Sequence, residues 1–300
     1  SVTSSPIKVR AAAATKMVVV TQPVGERTGA LLPTVPVIEL RDEFNNLAAS
    51  DDVTRVTVIS MRGVLPDGTL GGSTSVTATG GRVTFTGLSF TATPRSEYFL
   101  QFNAFRADGT AMQTVDSNPF SVINAEASQI FIAITGTVTR AGALMGVSEI
   151  HLLDSFGNIA VDNSTTVVRV TISGNSYPAR FVDSGDNTRN TVEGTVSGGV
   201  VRFTDIRLVG DPRDTTIKLR FDAASHNPAF TNELRLTHAV ASSFSVTRNP
   251  IALMSGDPLT QQPVIQLFDR YGYPANTDTG TVLRASLYQN VGGALTAGID

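Results

Sequence analysis

Alternation of apolar and polar residues predicts strands along most of the chain. Ile38 and Leu40, Ile150 and Leu152, and Ile265 and Leu267 each lie two residues apart. That spacing puts both members of a pair on one face of a strand. Each pair runs into an aspartate, Asp42, Asp154 or Asp269, followed by an aromatic at Phe44, Phe156 or Tyr271. Asn45, Gly157 or Gly272 comes next, a residue type that tolerates left-handed backbone. The Asp carboxylate can bond backbone N–H groups two residues on, so the motif reads as a strand closed by a tight turn. The aspartates are spaced 112 and then 115 residues apart, a repeat the size of one sandwich domain.

A second anchor repeats with the first. Thr77–Phe85 and Thr195–Phe203 both carry a Gly-Gly pair, Gly80-Gly81 and Gly198-Gly199, between alternating stretches. Such a pair predicts a two-residue hairpin, with Val83 and Phe85, and Val201 and Phe203, turned inward. Tyr98, Leu100 and Phe102 align with Ile217, Leu219 and Phe221 as a late core strand. Short strands at 120–123 and 234–237 close the two units, and the second unit needs a longer loop near 183–190. Ala-rich joints follow at 124–127 and 238–241, too short to swing freely.

These observations predict an all-β chain of tandem antiparallel β-sandwich domains arranged end to end. Residues 1–10 read as the last strand of a preceding repeat, because Pro6-Ile7-Lys8-Val9 resembles Pro119-Phe120-Ser121-Val122. Residues 15–123 and 128–237 form two whole repeats, and 242–300 the first half of a third. Half a sandwich exposes strand edges, so the parent chain or a neighbouring molecule is expected to complete it.

Composition narrows the function. Only 16% of residues are charged and the net charge is -3, with no basic cluster to neutralise phosphates, so nucleic acid is not an expected partner. Cysteine is absent, which removes thiol nucleophiles and Cys-based zinc sites. No apolar run reaches the roughly 20 residues of a membrane span. No signal peptide opens the chain, which is expected to begin inside a mature protein.

The joint followed by Lys16–Pro23, the strand ending in Asp-x-aromatic-Asn/Gly, and Val83-Thr84-Phe85-Thr86-Gly87-Leu88 resemble bacterial immunoglobulin-like repeats. Such repeats build large cell-surface proteins, adhesins and envelope-layer components. The second unit departs at Asp205, where the first has Gly87. The resemblance implies an extracellular building block rather than an activity.

Candidate chemistry is sparse. His151 occupies the outward register held by Glu39 and Gln266, which reads as a solvated strand face. His226 lies in a polar loop and His238 at a joint, with no metal-ligand spacing among the three. No nucleophile elbow, phosphate loop or metalloprotease motif occurs, and the adjacent Asp51 and Asp52 read as a turn or cap. Catalysis is not expected. Asp42, Asp154 and Asp269, near Asn45, Asn46 and Asn158, are calcium candidates through their oxygens, although capping of their own turns is the favoured reading. Asn163-Ser164-Thr165 is a glycosylation sequon in a polar loop. Phe99 and Phe105 fall in the outward register of their strand, which fits either lateral contact with another domain or cover by a loop.

The expected role is a non-catalytic structural segment of a surface, filament or layer protein, with copies of itself or neighbouring repeats as partners. The alternative is an adhesin stalk that presents a binding domain to a host or matrix ligand. A sugar-binding module of a secreted enzyme is a third possibility, opposed by the lack of tryptophan.

Overall fold

The computed structural model describes residue 3 and residues 5–106, 108–137, 140–174, 179–213, 217–252, 254, 257–286, 288–291 and 294–297. Side chains from 287 onward are outside this description. The described elements are all strands, joined into antiparallel sheets. No helix among the described residues is long and apolar enough to cross a membrane.

Two sheets close over the first core. Lys16–Thr21 pairs with Val37–Arg41, which pairs in turn with Arg82–Thr84. Opposite them, Arg55–Arg62 pairs with Arg95–Phe105, which also takes Phe120–Val122. With Ser75–Thr77 as a fourth strand paired to Arg55–Arg62, the chain order is first-second-fifth against fourth-third-sixth-seventh, the Greek-key arrangement of an immunoglobulin-like sandwich. Ile38 and Leu40 from one sheet meet Val56, Leu100 and Phe102 from the other in a single buried cluster.

The second core repeats this plan. Ala127–Ile134, Ser148–Asp154 and Val200–Phe203 form one sheet. Val192–Thr195, Val167–Ser173 and Lys218–Ala223 form the other. Ile150, Leu152, Leu219 and Phe221 are fully buried between them. In the third unit Ala241–Arg248 pairs with Val264–Asp269. Phe244, Val246 and Ile265 on this pair are exposed, so among the described residues its inward face has no cover like that over Ile38 and Ile150.

Two expectations need correction. Both Gly-Gly turns form, with positive φ at Gly80, Gly81, Gly198 and Gly199, but they do not make hairpins. Ser75–Thr77 pairs with Arg55–Arg62, whereas Arg82–Thr84 pairs with Val37–Arg41 in the opposite sheet. The chain arches over the core because Ala78 and Val83, which flank the turn, both bury between the sheets. A single bridge, Thr79 to Arg82, remains of the hairpin. The second unit does the same around Ser197 and Val200. Second, Leu234 and Thr237 make isolated bridges rather than a strand. Residues 5–10 lie outside any ladder, with Ile7 and Val9 exposed and no strand partner beside them among the described residues.

Candidate functional site

Each Asp of the repeated motif does two jobs with two oxygens. Asp154 Oδ1 accepts the N–H of Phe156 and of Asn158, both at 2.9 Å, and closes the turn. Its Oδ2 accepts the N–H of Ala125 at 3.0 Å, in the joint that leads into the second sandwich. The same set recurs at Asp42, which takes Phe44 and Asn46 on Oδ1 and Ala12 on Oδ2. It recurs again at Asp269, with Tyr271, Tyr273 and Ala239. All three aspartates are buried. Burial works to raise the Asp42 carboxyl, but the donors from Asn46, Ala12 and Phe44 hold it below its ordinary value. The turns take the left-handed backbone expected of them, with φ of 71° at Asn45 and 84° at Gly157 and Gly272.

A small residue completes the motif six positions beyond each Asp. Ala48, Ala160 and Ala275 are buried and donate back to Leu40, Leu152 and Leu267. The chain then turns again at Asp51, Asn163 and Asp278, whose side chains cap the N–H of Thr54, Thr166 and Thr281. Asp52 separately accepts the N–H of Gly80. Asn163, the sequon residue, is thus half-buried and engaged through Oδ1.

The aromatics two residues after Asp154 and Asp269 face backward across the joints. The Phe156 ring packs onto Gly29 of the first sandwich, and Tyr271 packs onto Gly142 of the second. A Cβ on either glycine would overlap the ring, and both glycines have positive φ. They sit in matching turns, Arg27-Thr28-Gly29-Ala30 and Arg140-Ala141-Gly142-Ala143.

Polar side chains fill in around this frame. At the first joint Arg27 donates to Asp162 at 2.8 Å and to the carbonyl of Asn124 at 2.9 Å. The Asn124 amide donates to the other Asp162 oxygen at 2.6 Å. At the second joint His238 Nε2 meets the Thr277 hydroxyl at 2.8 Å. Tyr271 donates to Asp186 at 2.6 Å, and Arg270 reaches the same oxygen at 3.1 Å. Asp186 belongs to the extra loop of the second unit, closed by the Asp183 carboxylate on the N–H of Gly185 and Asn187. Each joint leaves a shallow cleft, about 280 Å³ at the first and about 330 Å³ at the second.

The remaining candidates are scattered. His151 pairs with Glu149 at 2.7 Å, beside Arg202, on the outer face of its sheet. Glu39 was expected to be solvated; it is buried, because Arg41 and Arg82 lie over it at 2.6 Å each. Phe105 is exposed and Phe99 half-buried, while their neighbours Tyr98, Leu100 and Phe102 are fully buried. Among the described residues no cluster of three His, Cys, Asp or Glu side chains is placed to hold a metal.

The sequence matches no protein-family model and no curated protein. Solved structures similar to it are β-sandwich proteins or contain such domains. Invasin, a bacterial integrin-binding protein, is 12% identical, with 88% of this chain and 49% of that one covered and a TM-score of 0.32. Fibronectin(III)-like modules of Clostridium thermocellum CbhA are 12% identical over 74% and 94%, with a TM-score of 0.20. A Bacteroides vulgatus beta-glycosidase is 14% identical over 73% of this chain and 25% of its own length, with a TM-score of 0.30. The chain spans only about a quarter of that enzyme, and scores this low carry no functional argument.

Proposed function

We propose that this chain is a non-catalytic structural segment of a large extracellular surface protein, a tandem array of sandwich repeats at 15–123, 128–237 and from 242 onward. The observation that carries this reading is the threefold recurrence of one device, an Asp that closes its own turn and also binds the joint before it. A device of this kind serves to hold successive sandwiches in a set relation. It makes no use of a reactive group.

Lateral association of copies follows from what the sandwiches leave open. Ala127–Ile134 has its ladder on one side, with a single bridge from Gln129 to Asn227 on the other, and carries exposed Phe131 and Ile134. Phe105 is exposed on another strand. Open edges with apolar side chains favour strand-to-strand or face-to-face contact between chains. Electron micrographs of the parent protein in its native assembly test this directly. An ordered lattice or fibre is expected. Isolated rods at high concentration would discard self-association and leave a spacer stalk as the role.

A further inference from the structure

Two of the three repeated aromatics have a seat, and one does not. Phe156 rests on Gly29 and Tyr271 on Gly142, whereas Phe44 is 73% exposed. Yet Phe44 is held as the others are, with its N–H on the buried Asp42, which also binds the N–H of Ala12. The anchoring of a joint is therefore present without its occupant.

A second observation points the same way. Pro119 stands six residues before Ala125, and Pro6 stands six before Ala12, the two alanines whose N–H groups bind Asp154 and Asp42. Between the first pair lie Phe120 and Val122, buried at 7% and 3% as the closing strand of the first sandwich. At the matching places between the second pair, Ile7 and Val9 are 85% and 91% exposed. Two alternating apolar residues in an extended segment expose their backbone and one apolar face at once, which is the form of a strand awaiting a sheet.

We propose that Phe44 and the segment 5–10 form a docking end for a further β-sandwich of this same kind, one with an unoccupied Arg-x-Gly-Ala turn and no closing strand of its own. Ile7 and Val9 enter its core as that strand, and Phe44 packs on the glycine of its turn. The occupant is specified by the two joints already formed, where the same anchored aromatic meets the same turn. The Arg-x-Gly-Ala turns of this chain are themselves taken by Phe156 and Tyr271, so the partner brings its own. The inference rests on the array reading above.

The chain has no tryptophan, so Phe44→Trp is a single reporter. In the 300-residue protein it should emit as a water-exposed indole and be quenched freely by acrylamide. A longer chain is then made with residues 15–117 duplicated directly ahead of Ser5, which brings Ile7 and Val9 to the places of Phe120 and Val122. Quenching at position 44 should fall by about a third in that chain, the ratio of 49% exposure at Phe156 to 73% at Phe44. Phe156→Trp in the same longer chain reads the array itself. Shielding at 156 without any change at 44 overturns the docking end and leaves the array standing. Free quenching at both positions removes the array as well. A duplicated unit that stays unfolded, with the Ile7 and Val9 amides exchanging quickly, also overturns the proposal. As a further check, Ile7→Ser with Val9→Ser should destabilise the duplicated unit and leave the unfolding of the 300-residue chain unchanged.

Discussion

The two joints share a frame and differ in their polar side chains. In both, a buried Asp binds the joint backbone and an aromatic packs on a left-handed glycine. Around that frame, the first joint is crossed by Arg27 with Asp162 and Asn124. The second puts Thr277 where the first has Asp162 and His238 where it has Asn124. Its charged contact comes from elsewhere, through Asp186 of the long loop. Contacts to backbone recur while contacts between side chains vary. The former position the next sandwich, and the latter adjust how firmly it is held.

The largest expected effect comes from breaking what the joints have in common. Asp154→Ala leaves the N–H groups of Ala125, Phe156 and Asn158 without their acceptor in a buried place. Urea unfolding of the second sandwich should show a loss of about 3 kcal/mol or more. Asp269→Ala should act on the third unit and leave the second core near its original stability. Gly29→Leu sets a side chain into the Phe156 ring at a φ of 80° and should cost about 2 kcal/mol. Small-angle scattering should then report a looser first joint, and Gly142→Leu a looser second one. Equal spreading of both joints by either variant would mean that they are not independent.

Acid and alkali should separate the joints. Asp162 is held below its ordinary value of 3.8, first by the Asn124 amide and then by Arg27. Its folded-state pKa is depressed, so its contribution is complete above about pH 4 and is lost as pH falls through the lower folded value. Tyr271 is raised above its ordinary value of 10.0, first by burial and then by its bond to Asp186. Its contribution is complete below pH 10 and is lost as pH rises through the folded value. Scattering against pH should thus show the first joint loosening in acid and the second in alkali. Arg27→Ala should cost less than about 1 kcal/mol, because the pair is partly exposed and screened by salt. The smallest effect concerns calcium. The oxygens of Asp42, Asp154 and Asp269 already accept N–H groups, so a chelator should not move the melting midpoint. A midpoint that rises with added calcium would reverse this expectation.

Strand registers were legible because they follow from local alternation. Ile38, Leu40, Ile150 and Leu152 are all fully buried. The Asp turns were legible for the same reason, since the residues that cap and bend the chain are neighbours. The hairpin reading of the Gly-Gly pairs failed because a turn type does not say which sheet its flanking strands join. The reach of each Asp, 29 or 30 residues back to a backbone amide, was not legible. No local rule contains that contact, which depends on how a sandwich is seated on its neighbour. A signal was nonetheless present, in the two Arg-x-Gly-Ala turns and in the alanine six residues after each Asp.

The double use of one carboxylate has a mechanical consequence. The joint backbone at Ala125 and the turn at Phe156 and Asn158 hang from the same two oxygens. Tension applied along the chain therefore loads the turn and the joint together, not one after the other. A pull that frees Ala125 also removes a partner from a buried charge, so the first slip is costly and neighbouring bonds share the strain. Repeated at Asp154 and Asp269, this is expected to give the chain a yield point at both joints, set by a residue inside the fold.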